Sequence, residues 1–169
     1  MEVFTQVIGF VAMFFSVFSF QMNSHKKIIL MQMAATVCFA IQYYLLGAYT
    51  GMVVDIIATV RSMIFYFRED KEWARSKWWI VIFMAAFAVS GIFTYESPVS
   101  LLAIFAMMLN TISFACTKPK LVRTTILISS PMFLIYNIIM ASMGGIVNEV
   151  FVEISSVVGL LRYDIKGKN

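Results

Sequence analysis

The sequence predicts an all-α polytopic membrane protein whose seven transmembrane helices form two parallel three-helix bundles joined by one linker helix, a 3-1-3 plan. Three observations predict it. The chain is 61% hydrophobic, only 13% charged and has a mean hydropathy of +0.86, whereas soluble domains carry about a quarter of their residues as charges. Long apolar runs alternate with short polar clusters, and the basic residues sit on every second cluster. The chain also matches itself at an offset of 94 residues.

The spans follow from length. A hydrocarbon layer of about 30 Å needs about 20 helical residues, with 17 still sufficient. Cutting the 169-residue chain at its polar clusters leaves seven such runs, at 3–22, 28–46, 49–67, 78–95, 99–116, 124–143 and 145–161. No separate soluble domain fits between them, so 1–169 reads as a single membrane domain.

Orientation follows from charge, because Lys and Arg in short loops stay on the cytoplasmic side. The first loop holds Lys26 and Lys27, the third Arg68, Lys71, Arg75 and Lys77, the fifth Lys118, Lys120 and Arg123, and the tail Arg162, Lys166 and Lys168. Twelve of the thirteen basic residues therefore lie on one face, Arg61 being the exception. The amino terminus is placed outside and the carboxyl terminus in the cytoplasm; one span more or fewer would scatter the charges onto both faces. In a soluble protein the net charge of +4 and pI of 9.1 would point to nucleic acid. Here the basic residues are topology signals, and no nucleic-acid partner is expected. Trp73, Trp78 and Trp79 beside the longest basic loop suit the headgroup belt. The first span has neither a basic leader nor a small-x-small cleavage site and reads as retained. Cys38 falls mid-span and Cys116 at a span end, without a CxxC pair, so no disulfide chemistry is expected.

The offset of 94 aligns 8–70 with 102–164 without a gap, and 12 of 63 positions are identical, where composition alone predicts about four. The pairs include Ala12/Ala106, Ser19/Ser113, Phe20/Phe114, Lys26/Lys120, Phe39/Phe133, Gly51/Gly145, Ser62/Ser156 and Arg68/Arg162. Residues 3–70 and 97–164 thus form two three-helix repeats, with 71–96 as the linker helix. An odd linker after an odd bundle leaves both bundles the same way up, a parallel repeat. This plan resembles that of the SWEET-like sugar carriers, whose solute site lies between two such bundles near mid-bilayer. Their Pro-Gln signature is replaced here by Phe20-Gln21-Met22, and of the helix-kinking prolines only Pro131 stands. The chain more closely resembles the YgjV family of bacterial inner-membrane proteins over nearly its whole length. That resemblance rests on Leu45-Leu46-Gly47-Ala48-Tyr49 followed by Arg61, and on Asn137, Gly144-Gly145, Glu149 and Arg162. Family members often carry His where Gln42 stands, and Glu153 has no counterpart. The resemblance implies a multi-pass protein of the bacterial inner membrane and brings no established substrate.

Ionisable groups at bilayer depth cost about 2.5 to 3.5 kcal/mol each and need a partner, water or a purpose. There are four: Asp55 and Arg61 in the third span, Glu149 and Glu153 in the seventh. The repeat pairs Asp55 with Glu149 and Thr59 with Glu153. Asp55, Thr59 and Ser62, like Glu149, Glu153 and Ser156, recur at i, i+4, i+7 and so form one inward stripe per helix. Three readings stay open: the carboxylates carry a proton during transport; Arg61 pairs with Glu153 or Asp55 in a buried ion bridge that fixes packing; or Asp55 and Glu149 draw cations into an outer vestibule. Gln32, Thr36 and Tyr43 share one face of the second span, with Ser130 and Asn137 at repeat positions in the sixth. They suit either hydrogen bonds to a solute or bonds between helices. Gly9, Ala12, Ser16 and Ser19, with Ala103, Ala106 and Ser113 at matching places, suit close helix packing, while Asn110 is large enough to line a pore.

The exclusions narrow the function. The only histidine, His25, falls in a loop, so no histidine relay or His/Cys metal cluster lies in the membrane. No lysine lies in a span, which removes a retinal Schiff base, and no GxSxG, phosphate loop or HExxH is present. An enzyme is not expected, nor is a metal or other cofactor. Thirteen Met and sixteen Phe suit packing rather than a cofactor box. Two classes remain. One is a carrier for a small polar metabolite, passive or proton-coupled, rocking one bundle against the other. Asp55, Arg61, Glu149 and Glu153 are its coupling or gating groups; Tyr43, Thr59, Asn110, Asn137 and Asn148 are its solute contacts. Tyr43, Tyr44 and Tyr136 would offer stacking to a vitamin or nucleoside. The other is a non-transporting inner-membrane scaffold that holds a partner or lipid. A carrier needs a cavity between the bundles and a scaffold is packed through. Membrane lipids are partners in either case, and no heptad or GxxxG decides between a monomer and a homo-oligomer.

Overall fold

The computed structural model describes residues 2–19, 25–115 and 119–161. Its helices are α1 (Glu2–Ser19), α2 (His25–Leu46), α3 (Tyr49–Tyr66), α4 (Glu72–Arg75), α5 (Trp78–Phe93), α6 (Pro98–Ala115), α7 (Pro119–Ile139) and α8 (Met143–Gly159), with a 3-10 turn at Phe67–Glu69. No strand occurs among the described residues. Phe20, Gln21, Met22, Cys116, Lys118, Arg162, Lys166 and Lys168 lie outside them.

The helices follow the expected apolar runs, with two differences. The longest basic loop contains the one-turn helix α4. In addition, α2 and α7 start ahead of their apolar runs, so His25, Lys26, Lys27, Lys120 and Arg123 are helical rather than in loops. Once the intrahelical ladder is running, good helix formers such as Lys extend it at little cost. Lys26 then bonds Asp70 at 2.5 Å, which places the start of α2 and the residues after α3 at the same end of the molecule. Beside that end Trp79 Nε1 donates to the Trp73 carbonyl at 2.9 Å, within a chain of rings running from Phe67 through Trp73 and Trp79 to Phe83.

Around a buried apolar core that includes Val54, Phe87 and Tyr136, burial departs from the soluble pattern. Phe93 is 83% exposed and Ile92 77%, whereas Gln42 and Ser142 are fully buried. Apolar surface outside and hydrogen-bonded polar groups inside suit a lipid solvent, which cannot satisfy polar groups. Glu2–Ser19 and Ile29–Leu46, 18 residues each, are long and apolar enough to cross a membrane; Trp78–Phe93, Pro98–Ser113 and Thr124–Ile139 are shorter apolar helices.

The turn after α2 is set by its backbone. Gly47 has φ of +73°, Gly47 N–H donates to the Tyr44 carbonyl and Ala48 N–H to the Tyr43 carbonyl, a Schellman ending that favours glycine. The same bonds recur after α7, from Ala141 N–H to Ile138 and from Ser142 N–H to Asn137. Ala141 lies 94 residues after Gly47 and holds φ of 54° with a methyl group attached. A left-handed backbone costs an L-residue about 1–2 kcal/mol, and glycine returns about half of that through unfolded-chain entropy. Ala141→Gly should therefore stabilise the protein by up to about 1 kcal/mol, read as a higher melting temperature in detergent.

Packing assembles these helices in a definite order. α2 packs on α1 and α3, α7 on α6 and α8, α1 against α8, and α3 against α6, with α5 on α3 and α6. Advancing each of the first three helices by 94 residues exchanges the two sets of neighbours. α1 and α8 approach closely: a Cβ on Gly144 would overlap the Gly9 backbone. Ser142 precedes α8 and caps it, accepting from Gly145 N–H at 3.3 Å, as expected of an N-cap serine. Inside α7, Pro131 removes the helical bond to the Leu127 carbonyl.

Candidate functional site

A cavity of about 100 Å³ lies where α1, α2, α3, α6, α7 and α8 meet. At roughly 10–15 Å³ per water centre it has room for about seven waters. Its lining contains four pairs of residues separated by 94: Ser16 and Asn110, Phe39 and Phe133, Tyr43 and Asn137, Asp55 and Glu149. Gln32, Thr36, Arg61, Ser62 and Asn148 complete the polar wall.

Each polar group is held by its neighbours in a different way. Glu149 accepts from Ser130 Oγ at 2.7 Å and from Asn148 Nδ2 at 3.1 Å, so α7 and α8 together fix this carboxylate. Ser129 Oγ donates to Asn110 Oδ1 at 2.6 Å, and Gln32 Nε2 to Ser19 Oγ at 2.7 Å. Asp55 is 4% exposed and its carboxylate accepts no hydrogen bond among the described residues. Arg61, also buried, donates from Nη1 to Thr111 Oγ1 at 2.8 Å and to the Met107 carbonyl on α6, with its guanidinium 5.9 Å from the Phe87 ring centre. Arg61 thereby ties α3 to α6 and α5, with the Asp55 carboxyl group within its electrostatic reach.

Above the cavity, at the end marked by Gly47, polar contacts join the first three helices to the last two. Tyr43 O–H donates to Asn137 Oδ1 at 2.5 Å, and Gly51 N–H donates to the Tyr136 hydroxyl at 2.8 Å. Ser142 Oγ donates to Gln42 Oε1 at 2.9 Å. Gln6 donates to the Ala141 carbonyl and accepts from Met143 N–H, and Gln42 Nε2 donates to Gln6 Oε1. Gly51 makes room for this assembly, since a Cβ there would lie 2.8 Å from the Tyr136 oxygen and 2.9 Å from Tyr43. Towards the Lys26 end Lys26–Asp70 and Gln32–Ser19 run within one set of helices, and Arg61–Thr111 joins α3 to α6 across the two sets.

Of the expected site residues, Tyr43, Asp55, Arg61, Asn110, Asn137, Asn148 and Glu149 line the cavity. Thr59 does not: it exchanges a hydrogen bond with Thr36 at 2.8 Å and lines an apolar groove on the outside of α2 and α3. Glu153 also lies off the cavity, one turn beyond Glu149 and half-buried, with Oε2 enclosed. Tyr44 is 58% exposed and faces outward, while Tyr43 and Tyr136 are buried and pack edge to face. Ser16, assigned to packing from its neighbours, reaches the cavity. Sequence reasoning missed Gln42 and Ser142 as a linked pair. Their signal was present: a fully polar amide in the apolar run 28–46, and a serine directly after a left-handed turn.

No group of three or more His, Cys, Asp or Glu side chains that could hold a metal occurs among the described residues. No curated protein and no solved structure matches the chain. The Imp-YgjV family, described as a bacterial inner membrane protein, matches residues 3–166. The exposed apolar surface, the apolar helices and a match over nearly the whole length agree, and the chain belongs to this family of bacterial inner membrane proteins.

Proposed function

We propose that the protein is a membrane transporter, a SWEET-like carrier for a small polar metabolite that works by alternating access between two parallel three-helix bundles, 3–70 and 97–164. The observation that carries this reading is the polar cavity shared by six helices and lined by four residue pairs 94 apart. The exchange of helix neighbours under the same offset supports it. In this reading seven helices span the membrane, α5 links the bundles, and the basic Lys26 end faces the cytoplasm.

Alternating access needs a barrier on one side of the site at a time. The bonds Tyr43–Asn137, Tyr136–Gly51 and Gln42–Ser142 form it on the outer side, so this conformation is closed outward. Rocking the bundles about the Arg61–Thr111 tie would exchange that seal for one at the cytoplasmic end. Asp55 and Glu149 are the coupling carboxylates, and Asn110, Asn137, Asn148 and Tyr43 the solute contacts. Thr59 and Glu153 act from behind this layer.

Cysteine labelling tests the reading. In a chain carrying Cys38→Ala and Cys116→Ser, a single Asn110→Cys should react with a membrane-impermeant maleimide from the cytoplasmic face. Adding Asn137→Ala, which breaks the outer seal, should make the same cysteine reactive from outside. Reaction from neither face in both chains would leave the non-transporting scaffold as the function.

A further inference from the structure

Two buried acceptors in the wall of the cavity, on α3 and α8, stand open. Asp55, 4% exposed, presents a carboxylate that accepts no hydrogen bond among the described residues. Asn148 is 7% exposed, and its Oδ1 is buried without a partner. Its amide orientation is fixed, because Nδ2 donates to Glu149 Oε1 and the reverse orientation would set oxygen against carboxylate oxygen. Both groups are acceptors, so a ligand that reaches them must donate to them.

Charge and walls narrow the donor further. The lining carries two carboxylates, Asp55 and Glu149, against one guanidinium, Arg61, whose Nη1 is committed to Thr111 and Met107. With both carboxylates ionised one negative charge is in excess, and a buried excess charge is costly until a counter-charge joins it. Phe39, Phe133 and Tyr43 form the apolar wall, and aromatic faces attract organic cations. A neutral polyol would fill the acceptors but leave the charge, and an anion would add to it. Resting on the carrier reading, we infer that the cavity takes a small, singly charged organic ammonium ion, held by the Asp55 carboxylate and Asn148 Oδ1 against the Phe39, Phe133 and Tyr43 rings.

The test uses the full chain with Cys38→Ala, Cys116→Ser and Asn110→Cys, reconstituted in vesicles, with maleimide labelling as the readout. Ethylammonium chloride, potassium chloride, sodium acetate and erythritol are compared at equal concentration. At about ten times its Kd, ethylammonium should slow labelling roughly tenfold, while the other three leave it unchanged. Asp55→Asn should abolish the protection and Asn148→Ala should weaken it. If Asp55→Asn fails to elute as a single species, Asn148→Ala carries the test. Protection by acetate or erythritol in place of ethylammonium overturns the inference and leaves the carrier standing, and equal protection by potassium overturns its organic part. Protection that persists in both variants overturns the assigned residues. A cysteine unreactive from both faces, with or without Asn137→Ala, removes the carrier reading itself.

Discussion

Gly144→Ala should be the most damaging single methyl group that can be added to this chain, lowering stability by about 3 kcal/mol or preventing assembly. The reason is what the methyl meets. At Gly144 it overlaps the main chain of Gly9, and backbone yields only if α1 and α8 separate along their length. Helix association in lipid depends on such close approach, because no hydrophobic drive compensates for a gap. Gly91→Ala is the matched control: its Cβ would meet the end of the Ile104 side chain, Cδ1 at 2.6 Å, which can rotate away. It should cost less than about 1 kcal/mol. Heating each variant in detergent and following the surviving folded fraction by size-exclusion chromatography measures both. Equal melting temperatures would mean that α1 and α8 are not in contact at these glycines.

Arg61→Met should cost about 3 kcal/mol, because it removes the bond to Thr111 and leaves the Asp55 charge buried without its counter-charge. The second loss is recoverable. Asp55→Asn added to Arg61→Met should restore about 1–2 kcal/mol, since no charge then stays uncompensated. A double-mutant cycle on melting curves in detergent reads this coupling directly. Strict additivity would show that Arg61 acts only through α6, with no communication to Asp55.

Much of this molecule was legible in the sequence, and the remainder was hidden for identifiable reasons. The helices followed from apolar length. The cavity-lining roles of Asp55, Asn110, Asn137, Asn148 and Glu149 followed from the scarcity of polar groups in apolar runs. The stripe rule was less reliable. Asp55 and Glu149 reach the cavity but Thr59 and Glu153 do not, because a stripe at i, i+4, i+7 drifts around the helix and only part of it faces a space this narrow. The partner of Arg61 was out of reach as well. Thr111 lies 50 residues away and is one of many hydroxyl residues in the spans, so only the packing of α3 on α6 selects it. Helix ends were misjudged at Lys26 and Lys120 because hydropathy stops at the first charge, whereas the backbone ladder does not.

Tyr43 and Asn137 illustrate what joining two halves in one polypeptide makes available. Each is the other's counterpart at the offset of 94, and they bond directly; in the proposed two-bundle plan this contact falls on the local axis relating the halves. In a symmetric dimer of separate identical chains, that axis must carry two copies of one residue: two phenols, or two amides. Only a single chain can put a phenol opposite an amide there, with the donor always on one side and the acceptor on the other. The bond has a fixed direction, so the two halves are chemically distinguishable at the point where they meet.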